Sequence, residues 1–293
     1  MCALGFKSLG RLLAPASAAA ESRGPTAGRL DYPEPGWAMK FGVVVFPGSN
    51  CDQDCYHIAR DLLGCEAEYV WHHERDLKGA DVLILPGGFA YGDYLRAGAL
   101  ARFSPVMESV ADFARRGGPV LGICNGFQVL LEAGLLPGAV RVNRGLRYVC
   151  RDVHLRVESS ETPFTRLYEK GSVVKMPIGH MEGNYTAPPD VLDLLDREDR
   201  VVFRYCNTDG NVTDAANPNG ADLGIAGLRN REGNVVGLMP HPDRCSEAVL
   251  GNEAGRKMFE SAVHTLAVAT ASSGPAPDGA PALGSPKGAR PSA

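Results

Sequence analysis

From Lys40 onward the chain alternates between short β-branched runs and stretches whose apolar side chains recur every three or four positions. Lys40–Phe46 (KFGVVVF) ends in Pro47-Gly48 and predicts a buried strand. Cys55, Ile58, Ala59 and Leu62 then fall at i, i+3, i+4 and i+7, one face of a helix that Gly64 stops. Glu66–Trp71 and Asp81–Leu85 predict two more strands, the second closed by Pro86-Gly87-Gly88. Ser104 and Pro105 supply a cap and a first-turn proline for a helix that buries Val106, Val110 and Phe113 and ends at Gly117-Gly118. Pro119–Ile123 predicts a further strand, followed at once by a helix that turns Phe127, Leu130 and Leu131 inward as far as Gly134. Such alternation with short glycine-bearing connections predicts an α/β domain, a mostly parallel sheet covered by helices on both faces.

The second half is less regular. Leu155–Val157, Ser172–Met176, Val201–Tyr205, Ile225–Leu228 and Val235–Leu238 read as strands, several of them antiparallel. Gly255, Met258, Phe259, Ala262, Val263 and Leu266 form the stripe of a final helix. Both ends differ sharply from this core. Residues 269–293 are almost entirely Ala, Ser, Gly and Pro, with too little apolar side chain to offset the entropy of ordering, and predict a disordered tail. Residues 1–38 are Ala- and Gly-rich, with Pro33 and Pro35 just before Met39. They read as a disordered extension or an upstream start, while Lys7, Arg11 and the alanines leave a targeting segment open. The domain is expected to span 39–268.

Composition narrows the functional classes. A hydrophobic share of 44% in 293 residues is enough for a sizeable core. Lys and Arg number 30 against 34 Asp and Glu, a formal charge of −4, with no basic block, which argues against nucleic acid as a partner. No apolar run reaches the length of a membrane span. The eight cysteines, at 2, 51, 55, 65, 124, 150, 206 and 245, show no repeated CxxC spacing and suggest reduced thiols in a cytoplasmic protein. The sequons Asn184-Tyr-Thr186 and Asn211-Val-Thr213 are read as coincidental in that setting. His72, His73, Cys51, Cys55 and Cys65 lack a structural-zinc spacing, so no metal site is expected.

In open parallel sheets, ligands bind beyond the carboxyl ends of the strands. Three loops leave such ends: Pro47–Asp54, Pro86–Gly98 and the turn at Cys124. Cys124 lies between a buried strand and a helix, with Gly122 and Gly126 two residues away on either side. Small neighbours permit the sharp turn of a nucleophile elbow, and the positive end of the following helix favours a thiolate there. The N–H of Asn125 would face an oxyanion. A core thiol at a strand end is the alternative. His241-Pro-Asp243 follows the strand Val235–Leu238, and side chains two apart on extended chain share a side, so Asp243 can fix the tautomer of a His241 base. Read alone, His-Pro-Asp is better taken as an ordinary turn, in which Pro and Asp are common. The Gly48 and Gly87-Gly88 loops carry neither a Walker pattern nor a complete dinucleotide fingerprint.

Together these segments resemble a known family. Gly122-Ile-Cys124-Asn-Gly126-Phe-Gln128 is similar to the GxCxGxQ signature of class I glutamine amidotransferases, and His241-Pro-Asp243 to their downstream histidine–carboxylate pair. Phe46–Asp54 (FPGSNCDQD), Pro86–Gly98 (PGGFAYGDYLRAG) and Gly179–Tyr185 (GHMEGNY) resemble segments of the glutaminase subunit of phosphoribosylformylglycinamidine synthase. The resemblance runs from about Met39 to Leu266. It implies a single flavodoxin-like domain in which Cys124 attacks the side-chain amide of glutamine. His241 then protonates the departing ammonia, and water hydrolyses the γ-glutamyl thioester. It implies an oxyanion hole at the N–H groups of Gly88 and Asn125, and glutamine contacts at Gln128, Gly183, Asn184 and Tyr185. Ammonia would pass to a synthase subunit that holds ATP and magnesium and makes formylglycinamidine ribonucleotide in purine synthesis, with a small third subunit alongside. The family usually carries Glu two residues after the histidine, where this chain has Asp243, and Glu247 is a candidate substitute. A peptidase or other elbow-cysteine hydrolase, and a catalytically silent regulatory subunit, are the competing readings.

Overall fold

The computed structural model describes residues 39–273, and the expectations for residues 1–38 and 274–293 lie outside them. The first half runs β1 (Lys40–Val45), α1 (Asp52–His57), β2 (Glu66–Trp71), β3 (Val82–Leu85), α2 (Val106–Arg115), β4 (Val120–Ile123) and α3 (Asn125–Glu132). The second half adds β5 (Ala139–Val142), β6 (Val149–Val157), β7 (Val173–His180), β8 (Glu182–Thr186) and α4 (Pro189–Arg197). It closes with β9 (Val201–Cys206), β10 (Ile225–Arg229), β11 (Val235–Leu238) and α5 (Arg256–Ser273). The last helix continues to Ser273, so residues 269–273 of the expected tail are helical.

Nine strands form one sheet in the order β2-β1-β3-β4-β11-β10-β9-β6-β7. From β2 to β11 every pairing is parallel, in the order that flavodoxin-like sheets share, and from β11 to β7 every pairing is antiparallel. Strands β3, β4 and β11 are buried at every position, which is why they read as unbroken apolar runs. The β1-to-β2 crossover runs toward one edge and the β3-to-β4 crossover toward the other. Right-handed connections therefore place α1 and α2 on opposite faces, as expected. Helix α2 buries Val106, Met107, Val110 and Ala114, leaving Phe113 half-buried rather than in the core.

The differences from the sequence reading cluster in the second half. Strands β6 and β7 are longer than the expected Leu155–Val157 and Ser172–Met176, because β6 pairs with β7 from Val149 to Arg156 but with β9 only from His154 onward. The overhanging part carries Arg151 and Asp152 and is mostly exposed, so no apolar alternation marks it. Pro177 sits inside β7, which an edge strand tolerates. The small pair β5 and β8 and the helix α4, which buries only Leu195, carry little apolar signal and were not anticipated. Among the described residues no helix is long and apolar enough to cross a membrane.

Candidate active site

The loops after β1, β3, β4 and β11 meet at the carboxyl edge of the parallel half. The N–H groups of Asn50 and Cys51 both donate to the Gly87 carbonyl at 3.1 Å, and Phe89 N–H donates to Gly48 at 2.8 Å, tying the first two loops together. The overhanging β6–β7 hairpin forms the facing wall, and His241 N–H donates to Pro177 of that hairpin at 2.9 Å. Between them lies a cleft of about 220 Å³ bordered by Cys124, His241, Gly88, Cys51, Tyr148 and Gly179.

Cys124 occupies the turn from β4 to α3 with φ 48° and ψ −103°, a conformation that costs a non-glycine residue on the order of 1–3 kcal/mol. Its surroundings hold it there. Cys124 N–H donates to Leu238 of β11 at 2.8 Å, and its carbonyl accepts from Gln128 N–H at 3.1 Å. The flanking glycines are a steric requirement: a Cβ on Gly126 would run into the Leu85 carbonyl of β3, and one on Gly122 would meet the Gly126 carbonyl oxygen at 2.8 Å. The thiol, 4% exposed, points to the Gly179 carbonyl at 3.8 Å.

His241 follows β11, the parallel neighbour of β4, and is buried beside Cys124. Its Nδ1 lies 3.2 Å and 3.4 Å from the two oxygens of the buried Asp243 carboxylate. With Nδ1–H donated to Asp243, Nε2 is left as the basic nitrogen. Burial opposes a charge on the ring, but the Asp243 carboxylate and then Cys124 outweigh it and hold the imidazole well above its ordinary value. Asp243 therefore reaches the histidine despite being one methylene shorter than Glu. Glu247 does not substitute for it, since its carboxylate takes His57 Nε2 at 3.0 Å.

The amide N–H groups of Gly88 and Asn125 have no protein acceptor among the described residues, and Asn125 is the first residue of α3, where N–H groups lack intrahelical partners. The Asn125 side chain instead clamps the β3–α2 loop, accepting from Ala90 N–H at 3.0 Å and donating to Asp93 at 3.3 Å.

None of Gln128, Gly183, Asn184 and Tyr185 borders the cleft. The Gln128 amide is occupied inside the protein, accepting from Asn125 at 2.9 Å and donating to the Glu182 carbonyl at 2.5 Å. Gly183 is fixed by Asn143 and Asn219, Asn184 faces the Val142 carbonyl, and Tyr185 is fully buried with its hydroxyl on Pro137.

The sequence reading did not join Cys51 or Arg244 to Cys124 and His241. Cys51 Sγ sits 3.8 Å from His241 Nδ1 and accepts from Arg244 Nη2 at 3.2 Å. Gly87 makes room for this contact, since a Cβ there would meet His241 Cε1 at 2.6 Å and Cys51 Sγ at 3.2 Å. His72, considered with Cys51 for zinc spacing, bonds Tyr91, 2.8 Å away. The Pro47–Asp54 loop was the available signal, because it leaves a strand at the edge where ligands bind.

Residues 38–266 match the model of the CobB/CobQ-like glutamine amidotransferase domain. A phosphoribosylformylglycinamidine synthase subunit PurQ of Salinibacter ruber is 56% identical over 234 residues, covering 80% of this chain and all of that protein. Its namesake of Moorella thermoacetica is 57% identical over 225 residues, 77% of this chain and 95% of that protein. A solved chain of PurLQS from Thermotoga maritima superposes with a TM-score of 0.70 at 43% identity, covering 78% of this chain and 100% of that one. With that likeness running through the strands that carry Cys124 and His241, the chain belongs to the glutamine amidotransferase family of the PurQ subunits.

Proposed function

We propose that Cys124, His241 and Asp243 release ammonia from glutamine in this chain, which is the glutaminase subunit of a phosphoribosylformylglycinamidine synthase. The observation that carries the catalytic assignment is the strained elbow at Cys124 with a carboxylate-held imidazole beside it in one cleft. His241 Nε2 takes the thiol proton, and the sulfur attacks the side-chain carbonyl of glutamine. Negative charge on the carbonyl oxygen is met by the free N–H groups of Gly88 and Asn125. Collapse of that intermediate expels ammonia, which receives its proton from His241, and leaves a γ-glutamyl thioester. His241 then activates the water that frees glutamate and restores the thiol.

The cleft wall offers glutamine contacts at Gly179, Tyr148 and Arg244. Ammonia goes to the synthase subunit, which on this reading carries ATP and magnesium and is joined by a small third subunit. A cytoplasmic setting fits the seven free thiols among the described residues. No specific observation favours a peptidase or a silent scaffold.

The test is amidine formation by this chain with its synthase subunit, ATP and formylglycinamide ribonucleotide, with glutamine or ammonium as nitrogen donor. Cys124→Ala should abolish the glutamine-dependent reaction and spare the ammonium-dependent one. Undiminished glutamine use would make Cys124 a structural residue.

A further inference from the structure

We propose that Cys51, His241 and Asp243 form a site for a thiophilic divalent cation of the zinc type, and that a metal bound there switches off glutamine hydrolysis. The three residues come from two loops at the same sheet edge, and all three are buried. One donor atom from each lies within 4.8 Å of the others. Tetrahedral zinc, with bonds of about 2.3 Å to sulfur and about 2.0–2.2 Å to nitrogen and oxygen, sets sulfur and nitrogen about 3.6 Å apart and nitrogen and oxygen about 3.4 Å apart. Here Cys51 Sγ and His241 Nδ1 are 3.8 Å apart, and Nδ1 lies 3.2 Å and 3.4 Å from the Asp243 oxygens. Two edges of the tetrahedron are therefore already close to their required lengths. The donor set of thiolate, imidazole and carboxylate is one that zinc accepts, and three protein ligands leave the fourth position to solvent from the cleft.

Arg244 is the group that opposes a cation, with Nη2 3.2 Å from Cys51 Sγ. Its side chain is half exposed and already paired with Asp54 at 3.2 Å, so it can swing toward that carboxylate. Binding sends the Cys51 thiol proton to solvent, and the proton displaced from Nδ1 is exchanged through solvent to Nε2 of the neutral ring. With Nδ1 on the metal, the one remaining ring proton sits on Nε2, and the ring can no longer take the proton of Cys124. The inhibitory consequence rests on the catalytic reading above, whereas the binding itself does not.

Both parts are tested on the full chain. Co²⁺ should give a thiolate-to-cobalt absorption band in the native chain and in Cys124→Ser, and none in Cys51→Ser or Cys51→Ala. Since Cys124→Ser reads binding apart from catalysis, failure of the catalytic reading would leave that band in place. In the complex with its synthase subunit, Zn²⁺ should inhibit the glutamine-dependent rate and not the ammonium-dependent rate. Each Cys51 variant, scaled to its own metal-free rate, should need about tenfold more zinc or higher for half inhibition. A band that persists without Cys51, a band lost in Cys124→Ser, or unchanged zinc sensitivity of the Cys51 variants would overturn the proposal.

Discussion

A single methyl group is enough to break the turn that presents Cys124. The Cβ of an alanine at position 126 would strike the Leu85 carbonyl, and the backbone of a central, fully buried strand has nowhere to move. Gly126→Ala should therefore destabilise the domain by about 1–3 kcal/mol, read as a lower midpoint in thermal unfolding. It should also depress glutamine-dependent activity more than ammonium-dependent activity, because the elbow shifts first. At this scale the sequence was informative wherever a constraint is local. The glycines stand two positions from Cys124 because the turn needs them there, and Asp243 does meet His241 two positions away, though through a 3-10 turn over Pro242–Arg244 that His241 caps rather than through extended chain. Contacts that close across the fold carry no such mark. Cys51 and His241 are 190 residues apart, and nothing in either segment announces that they touch. Membership of a motif also leaves a side chain's direction open. Tyr185 belongs to a diagnostic segment, yet it stacks on Phe127 in the core rather than facing the cleft.

Among the elements, the connection between β3 and α2 is held in a conformation that its sequence does not favour. Tyr91, Asp93 and Leu95 all have positive φ, at 55°, 52° and 71°. The loop is pinned by the Tyr91 hydroxyl on His72 and Ser104 and by the paired bonds of Arg96 to Glu132 at 2.6 Å. Asp93 is a weak point in it. Burial, and then the nearby Glu182 carboxylate, push its carboxyl up from 3.8 to about 6, while the bond from Asn125 opposes the shift. Since the folded state holds this proton more tightly than the unfolded chain, stability falls as pH rises from 3.8 to about 6 and stays lower above that. Asp93→Asn should raise the unfolding temperature at neutral pH, and the gain should shrink through that same window and vanish below it. Thermal scans across pH check this, and a gain that did not change with pH would refute it. The elements themselves were legible where burial on both faces made a strand wholly apolar, as in β3, β4 and β11. They were not where a short or edge element buries one side only, as in β5, β8 and α4.

For the whole molecule, the economy of nitrogen sets the expectation. A glutaminase that ran freely would waste amide groups, so this chain alone should turn over glutamine slowly and be accelerated by the synthase subunit with its nucleotide substrate and ATP. Glutamate release with and without those additions measures it, and equal rates would refute the coupling. The sheet order also governs how the molecule comes into being. Strand β11 stands between β4 and β10 and is the sole strand that both halves of the nine-stranded sheet share. It is also the last strand among the described residues, and it delivers His241 three residues after its end. During synthesis, then, Cys124, Gly88 and Asn125 leave the ribosome more than a hundred residues before His241. The pairing that joins them is parallel and distant in sequence, the slow kind to form. A nascent or truncated chain therefore carries Cys124 without His241, and on the proposed mechanism hydrolytic competence waits for closure of the sheet.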